Sequence, residues 1–408
     1  MFNLWVGWKY LKSEYRFMSF TSWLGVFGLT IGVASLFVSM AVVSGYETTL
    51  KRNVIDVTGD LTILKRGFKE EQVPSILEEV KSLAGASATH WTPFVFLEGL
   101  LAHNKKIKGI MLEGIDPKSY GKVLHYEHRI IEGEKKFNFS SDESRAWVGK
   151  GLKKKFNLQV GDSFKVVLPI DEEANSNFFK PIVKKFKLMG FLDLGRFEYN
   201  ERYILTDMET AQSFARLDDR ITGIRLKLPS SDLAQEVMSI LNEKSEMGIW
   251  TKSWREHNKN IFEAVVYEKA VIFFVLLVMV IAASFNVSST LFVSVMQRFS
   301  DISVMKAIGA KRRQIVWIFS IQGLIIGVLG TFFGLLIGVA ASYGFLIIQD
   351  LWHVLPAETY KIDHIDIEFR ALDIVLIGFS TLLICFLSTL GPALRGARLK
   401  PVEGLKYE

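Results

Sequence analysis

Four long apolar runs divide this chain of 408 residues. Each run lacks charged side chains and is long enough to cross a bilayer, which takes about 20 apolar residues. The charged residues that bound the runs are Arg16 and Glu47, Lys269 and Arg298, Arg313 and Asp350, and Asp373 and Arg395. The pattern therefore predicts four transmembrane helices, with a long polar segment between the first and the second.

This polar segment has the mixed periodicities of an α+β domain. Residues 70–83 and 231–244 repeat apolar positions every three or four residues, which is typical of amphipathic helices. Short runs that favour strands occupy residues 60–64, 106–115, 163–169, 184–192, 201–207 and 222–228. We predict a membrane protein with four transmembrane α-helices and a large α+β domain inserted between helices 1 and 2.

Basic residues predict the orientation of the helices. The second-to-third loop carries five basic side chains against a single acid, Asp301, whereas the third-to-fourth loop is acidic. The positive-inside rule places both termini and the basic loop in the cytoplasm, and the inserted domain outside. The predicted segments are an N-terminal segment at 1–19, helix 1 at 20–45, the outer domain at 46–262, helix 2 at 263–296, a basic loop at 297–313, helix 3 at 314–348, a short outer loop at 349–371, helix 4 at 372–393 and a tail at 394–408.

Composition agrees with a membrane protein that also carries a sizeable polar domain. Hydrophobic residues make up 49% of the chain, and the mean hydropathy is +0.24. The net charge is +6, but the inserted domain shows no basic stripe, so a nucleic-acid partner is not expected. The single cysteine, Cys385, lies in an apolar run and excludes an intrachain disulfide framework.

Enzyme motifs are missing from the sequence. It contains no G-x-x-x-x-G-K-[ST] phosphate loop and no G-x-S-x-G, H-E-x-x-H or C-x-x-C. His353, Asp363, His364 and Asp366 could bind zinc, but their spacing matches no standard site and a solvated acidic loop is favoured. The four apolar runs also lack the ionisable residues of a proton or ion pathway. We expect a non-catalytic subunit without a cofactor or a metal site.

Glycine forms two ridges along the predicted spans. Small residues let helices approach closely in lipid, where no hydrophobic force drives them together. The ridges could pack within the chain or against a second subunit, and the pattern favours neither. Their members are Gly25, Gly28 and Gly32 on the first span and Gly323, Gly327, Gly330, Gly334 and Gly338 on the third.

A short amphipathic segment precedes the third span. Phe299, Ile302, Met305 and Ile308 recur at every third position and are predicted to share one side of a helix that Gly309 ends. The cationic residues 311–313 follow directly. Such a segment can lie at the membrane surface or dock into a groove on another protein, and the pattern alone leaves both open.

Several stretches resemble a known family of transporters. Residues 295–319, VMQRFSDISVMKAIGAKRRQIVWIF, resemble the cytoplasmic motif of FtsX/MacB-type ABC-transporter permeases. Further stretches narrow the resemblance to the lipoprotein-releasing LolC/LolE family, in family order over nearly the whole chain. They are FTSWLGVFGLTIGVASLFVSMAVVSGYE at 20–47, WVGKGLKKKFNLQVGD at 147–162, AASFNVSSTLFVSVMQ at 282–297 and GPALRGARLKPVEGLKYE at 391–408.

The resemblance implies an assembly and a location. Family members are multi-pass proteins of the bacterial inner membrane with a periplasmic domain of two subdomains. Two permease subunits, identical or paralogous, pair with two copies of a separate ABC ATPase. Lipoproteins enter sideways from the outer leaflet, and ATP hydrolysis passes them to a soluble periplasmic carrier. The alternatives are an FtsX/MacB-type permease that transmits force to a periplasmic enzyme or efflux partner, and a membrane-anchored sensor without an ATPase.

The resemblance also implies three functional sites. Coupling to the ATPase is expected at Phe299, Asp301, Ile302, Met305, Ile308 and Gly309. Carrier binding is expected at a hairpin over 168–183, through Pro169, Asp171, Glu172, Asn177, Phe178, Phe179 and Pro181. The lipoprotein cavity is expected at the outer ends of helices 1 and 2, on Val42, Val43, Tyr46, Tyr267, Val271 and Phe274. Replacement of the central coupling residue, Met305→Glu, is predicted to uncouple ATP hydrolysis from lipoprotein release.

Overall fold

A computed structural model of the chain describes residues 20–85, 88–137, 143–169, 181–352 and 366–398. These residues form two compact units, a helical unit from 20–47, 263–352 and 366–398 and a strand-rich unit from 48–262. The helices are α1 (Phe20–Thr58), α2 (Val73–Ala84), α3 (Lys150–Phe156), α4 (Phe197–Asn200), α5 (Met208–Ala215), α6 (Ala234–Lys244), α7 (Lys259–Gln297), α8 (Phe299–Ala307), α9 (Arg312–Trp352) and α10 (Ala371–Arg398). The strands are β1 (Leu61–Lys65), β2 (His90–His103), β3 (Lys106–Ile115), β4 (Ile130–Gly133), β5 (Arg145–Gly149), β6 (Ser163–Leu168), β7 (Ile182–Leu192), β8 (Tyr203–Asp207), β9 (Gly223–Lys227) and β10 (Ile249–Ser253).

The strand-rich unit is built on one ten-stranded sheet. Its hydrogen-bonded neighbours run in the order β10-β1-β9-β2-β3-β8-β5-β7-β4, and β6 pairs with both β2 and β7. β3 and β8 run parallel, as do β5 and β7, whereas the other pairs are antiparallel. The predicted α+β class is therefore confirmed for the inserted domain.

Alternating side chains explain how these strands form. In β6 the side chains of Phe164, Val166 and Leu168 are buried, and the residues between them face outward or are only partly covered. This period of two is the pattern of a strand with one covered face. The same logic predicted β1, β3, β7, β8 and β9, and the helical period predicted α2 and α6; the structure confirms all of them.

β2 is the longest strand among the described residues and was not predicted. It contains Pro93 and Gly99, residues that normally argue against a central strand. Yet Pro93 lies opposite Ile224 of β9, and Gly99 lies opposite Ile110 of β3. A Cβ atom at Gly99 would come within 2.9 Å of the Val167 carbonyl oxygen of β6, so the glycine allows three strands to meet there.

A buried ion pair crosses the sheet. The guanidinium of Arg225 on β9 donates two hydrogen bonds to the carboxylate of Glu113 on β3, one of them from Nη2 at 2.9 Å. The hydroxyl of Tyr203 on β8 donates to the same carboxylate. Burial, together with the charge of Glu113, raises the pKa of Tyr203 well above its ordinary value. The phenol therefore stays protonated and serves as a fixed donor.

Glycine contacts explain how the helical unit packs. Cβ atoms at Gly330, Gly334 and Gly338 of α9 would come within 2.6–2.7 Å of side-chain atoms of α1. On α1, Gly25 and Gly32 lie against Val287 and Val280 of α7, and Gly28 lies near Ala283. Both ridges therefore pack within the chain, and this answers the choice that the sequence left open. The α1 side chains that meet the α9 ridge are Leu29, Val33 and Phe37.

Four helices of this unit are long and apolar enough to cross a membrane: α1, α7, α9 and α10. The prediction of four spanning helices is confirmed. α1 does not end at the predicted limit of its span, residue 45, but continues without a break to Thr58. α10 likewise continues beyond residue 393 to Arg398.

Candidate functional site

The short helix α8 joins two spanning helices, and interactions between residues close in sequence define its two ends. At its start, Arg298 Nη1 lies 3.5 Å from Asp301 Oδ2. At its end, the Gly309 N–H donates to the Lys306 carbonyl at 3.1 Å, and the following N–H donates to the Met305 carbonyl at 2.9 Å. With φ of +103° at Gly309, this is a Schellman motif, in which glycine is favoured. The prediction that Gly309 ends the helix is confirmed.

One side of α8 is anchored to the helical unit. Ile302 is completely buried in an apolar cluster to which α7, α9 and α10 all contribute, and Met305 packs against the same cluster. The Lys306 ammonium donates to the Ala397 carbonyl in the last turn of α10 at 3.0 Å. α8 is therefore held by packing and by a hydrogen bond to a different helix.

The opposite side of α8 carries exposed apolar side chains. Val304 is 43% exposed and Ile308 is 82% exposed, whereas Phe299 is partly covered. The prediction that Phe299, Ile302, Met305 and Ile308 share one side is wrong. An α-helix turns by about 100° per residue, so a row at every third position rotates by about 180° between its first and fourth members.

A cationic cluster follows α8. The side chains of Lys311, Arg312 and Arg313 are all exposed. The Lys311 N–H donates to Gln314 Oε1 at 2.7 Å, which satisfies one of the backbone donors that the first turn of α9 leaves free. The cluster therefore lies at the start of α9, three residues after the exposed Ile308 in the sequence.

The six residues expected to line a cavity lie on two helices. On α7, Tyr267, Val271 and Phe274 are 60–72% exposed and are spaced four and three residues apart, so they share one helix face. On α1, Val42, Val43 and Tyr46 are partly covered. The structure thus gives α7 an outward apolar face near its start, and the cavity itself stays a prediction.

An ionic node joins three helices at the end of the bundle away from α8. The Lys269 ammonium of α7 lies 2.8 Å from Asp373 Oδ2 of α10, and the Ser44 hydroxyl of α1 donates to the same oxygen at 2.8 Å. Nearby, Arg370 Nη1 lies 2.7 Å from Glu47 Oε2. Sequence reasoning missed this node, although Lys269 and Asp373 bound two predicted spans with opposite charges and signalled it.

The predicted hairpin is bounded by β6 and β7. Their ladder ends with Leu168 opposite Ile182, and Pro169 and Pro181 follow as exposed residues just outside the strands. Proline at these positions removes no hydrogen bond from the ladder. The other predicted carrier-binding residues, Asp171, Glu172, Asn177, Phe178 and Phe179, lie outside the described residues.

Metal-binding geometry is not found within the described part of the chain, where no three His, Cys, Asp or Glu side chains are grouped to hold an ion. His353, Asp363 and His364 lie outside that part, and Asp366 lies just inside it.

These features define a class of membrane protein: four spanning helices, an α+β domain inserted after the first, and an anchored short helix between the second and third. The profile of the MacB-like periplasmic core domain matches residues 22–244, and the profile of the FtsX-like permease C-terminal domain matches residues 273–401. The chain belongs to this permease family. The inserted domain is therefore periplasmic.

Curated relatives match over the whole chain. The lipoprotein-releasing system transmembrane protein LolC of Neisseria meningitidis is 27% identical, covering 100% of this chain and 100% of that protein. The LolC protein of Xylella fastidiosa is also 27% identical, over 99% of this chain and 98% of its own length. LolE of Haemophilus influenzae is 25% identical over 98% of each chain.

Proposed function

We propose that this chain is the permease subunit of an ATP-driven transporter that extracts lipoproteins from the outer leaflet of the bacterial inner membrane. The observation that carries the proposal is the end-to-end similarity to transmembrane proteins of lipoprotein-releasing systems, at 25–27% identity. The chain supplies no catalytic group in this scheme, and a separate ABC ATPase hydrolyses ATP. Both termini and α8 face the cytoplasm.

α8 is the joint through which the ATPase acts on the membrane helices. Its exposed Val304 and Ile308 offer a compact apolar contact, which suits insertion into a groove of a partner. Its buried Ile302 lies in the cluster shared by α7, α9 and α10, so a displacement of α8 is transmitted to all three helices. Of the predicted coupling residues, Ile308 makes the contact in this scheme, and Ile302 and Met305 transmit it.

The lipoprotein enters beside α7, whose exposed Tyr267, Val271 and Phe274 provide an apolar wall near the periplasmic end of the bundle. Such a wall suits acyl chains, since each buried CH₂ group contributes about 0.8 kcal/mol. A second permease subunit, identical or paralogous, closes the cavity. The hairpin between Pro169 and Pro181 then binds a soluble periplasmic carrier that receives the lipoprotein.

Copurification tests the proposal. The intact chain, purified from membranes in mild detergent, is expected to bring down a nucleotide-binding subunit that mass spectrometry identifies. Ile308→Glu places a charge in the proposed contact and is expected to lose that subunit. Since Ile308 is 82% exposed, the variant keeps its fold. The matched control is Ile107→Glu at a position that is 68% exposed in the strand-rich unit, which is expected to retain the subunit.

Two results would reject parts of this scheme. Absence of any nucleotide-binding subunit from the intact chain would favour the membrane-anchored sensor. Replacement of residues 170–180 by a short Gly-Ser turn is expected to abolish binding of the soluble carrier in a pull-down. Unchanged carrier binding would favour a permease that transmits force to another periplasmic partner.

A further inference from the structure

A cleft between α7 and α10 near α8 is built from two matching helix faces. Its volume is about 420 Å³, and Ser288, Ser289 and Phe292 of α7 face Gly391, Pro392 and Arg395 of α10 across it. On each helix the third of these residues lies four and three positions after the first two, which places the three on one side of the helix. The cleft belongs to the helical unit and is separate from the proposed cavity at the other end of α7.

Glycine and proline make room for this cleft. A Cβ atom at Gly391 would meet nothing within 4 Å, so the space in front of α10 is open there. Pro392 has no N–H and leaves the carbonyl of the preceding turn without its helical donor. The α7 side of the cleft includes two serine hydroxyls, which belong to a polar run that also contains Ser284, Asn286 and Thr290.

A cation lies at the mouth of the cleft. The guanidinium carbon of Arg395 lies 5.6 Å from the centre of the Phe292 ring, and the Arg395 side chain is exposed. Among the described residues, no carboxylate forms an ion pair with Arg395. Arg395 stands one turn before the end of α10. Arginine side chains near the ends of spanning helices extend to the polar interface of a bilayer.

We propose that this cleft binds an anionic glycerophospholipid from the leaflet at the α8 end of the bundle. Arg395 binds the phosphate, the hydroxyls of Ser288 and Ser289 donate to the ester carbonyls, and one acyl chain follows Phe292 along α7. Basic pockets between membrane helices are the usual sites of such head groups. The bound lipid would join α7 to α10 beside the cluster that anchors α8. This site goes beyond the proposed transport function.

The test measures lipid preference in nanodiscs of phosphatidylcholine that contain a small fraction of spin-labelled phosphatidylglycerol. The full chain is expected to immobilise labelled phosphatidylglycerol more strongly than labelled phosphatidylcholine. Arg395→Gln is expected to lower that preference about fivefold, the effect of one basic residue near the surface. Arg313→Gln, an exposed arginine at the same end of the bundle on α9, is the charge-matched control and is expected to keep the preference.

A second pair of variants tests the cleft itself. Gly391→Leu fills the open space and is expected to abolish the preference without harming the helix, because leucine favours helices over glycine. Gly378→Leu is the matched control, since a Cβ atom at Gly378 of the same helix also meets nothing within 4 Å. Equal lipid preference in the Gly391 and Gly378 variants, or equal loss in the Arg395 and Arg313 variants, would overturn the proposal.

A helix of a second copy is the competing occupant. Ser289→Cys places a thiol in the cleft, and the native Cys385 is buried. Under oxidising conditions this variant is expected to form no disulfide-linked dimer through residue 289, because lipid rather than protein covers the cleft. Rapid formation of a disulfide-linked dimer through residue 289 would reject the lipid site. Neither assay involves the ATPase, so their outcome is independent of the proposed transport function.

Discussion

At the scale of single residues, the pair formed by Glu113 and Arg225 dominates the interior of the strand-rich unit. Both side chains are buried, and Tyr203 and Tyr126 supply further polar contacts to them. A buried pair of this kind contributes little net stability relative to apolar residues, but loss of one partner leaves the other charge uncompensated. Removal of either the Glu113 or the Arg225 charge is therefore expected to destabilise this unit strongly.

Glu113→Gln is expected to destabilise the strand-rich unit by about 3–5 kcal/mol, because it leaves the Arg225 charge buried without a counter-ion. The change keeps the shape of the side chain, so loss of packing does not contribute. The full chain is heated in steps, and cleavage by a protease at sites within residues 48–262 reports the temperature at which this unit unfolds. Glu143→Gln removes the exposed partner of the half-buried Lys187 and serves as control, with an unchanged unfolding temperature expected.

The end of a helix could be predicted from the sequence where the backbone conformation of one residue determines it. Gly309 ends α8 because the left-handed conformation of that residue costs glycine nothing, and this requires no knowledge of the rest of the fold. The position of Ile302 was not predictable in the same way. Its burial depends on α7, α9 and α10 meeting at one point, which no local pattern encodes.

At the scale of helices and strands, close packing of α9 against α1 depends on the absence of side chains. A Cβ atom at Gly334 would lie 2.6 Å from the Cβ atom of Val33, and neither backbone can retreat without disturbing the other contacts of the ridge. In lipid, such close approach is what brings helices together. Each glycine of this ridge therefore fixes the distance between the two helices.

Gly334→Ala is expected to destabilise the helical unit by about 1–3 kcal/mol, the usual cost of overpacking. This expected loss of stability is opposite in sign to the effect of intrinsic helix propensity, which favours alanine over glycine by about 1 kcal/mol. Gly344→Ala on the same helix is the control, since nothing lies within 4 Å of its added Cβ atom. Thermal unfolding in detergent would contradict this account if both variants shifted the midpoint in the same direction.

The elements themselves were predictable to the extent that their periodicity was simple. The four spanning helices and most strands followed from apolar runs and from alternation, whereas β2 was hidden by Pro93 and Gly99. The structure also changes the interpretation of a variant suggested by the sequence. Because Met305 packs against the bundle, Met305→Glu would disturb packing as well as docking, whereas Ile308→Glu at an exposed position changes docking alone.

At the scale of the whole molecule, the order of the elements along the chain inserts the strand-rich unit between the first two spanning helices. α1 and α7 flank the inserted domain in the sequence, and α8 follows α7 directly. Four long apolar helices with a domain inserted after the first were predictable, because apolar length encodes them. The exact pairing of Lys269 with Asp373 was not predictable, since their opposite charges at the ends of two spans indicate a contact but do not select the partners.

The proposed orientation predicts opposite accessibility for two exposed isoleucines. Ile107 in the strand-rich unit is 68% exposed and Ile308 after α8 is 82% exposed, so cysteines at either position would react readily in solution. The chain's only native cysteine, Cys385, is buried and gives a low background. In cells with a permeabilised outer membrane, an impermeant maleimide is expected to label Ile107→Cys at once. It is expected to label Ile308→Cys only after the inner membrane is disrupted. The reverse pattern would place α8 in the periplasm, out of reach of any cytoplasmic ATPase. Coupling through this helix would then be impossible, although the fold would be unchanged.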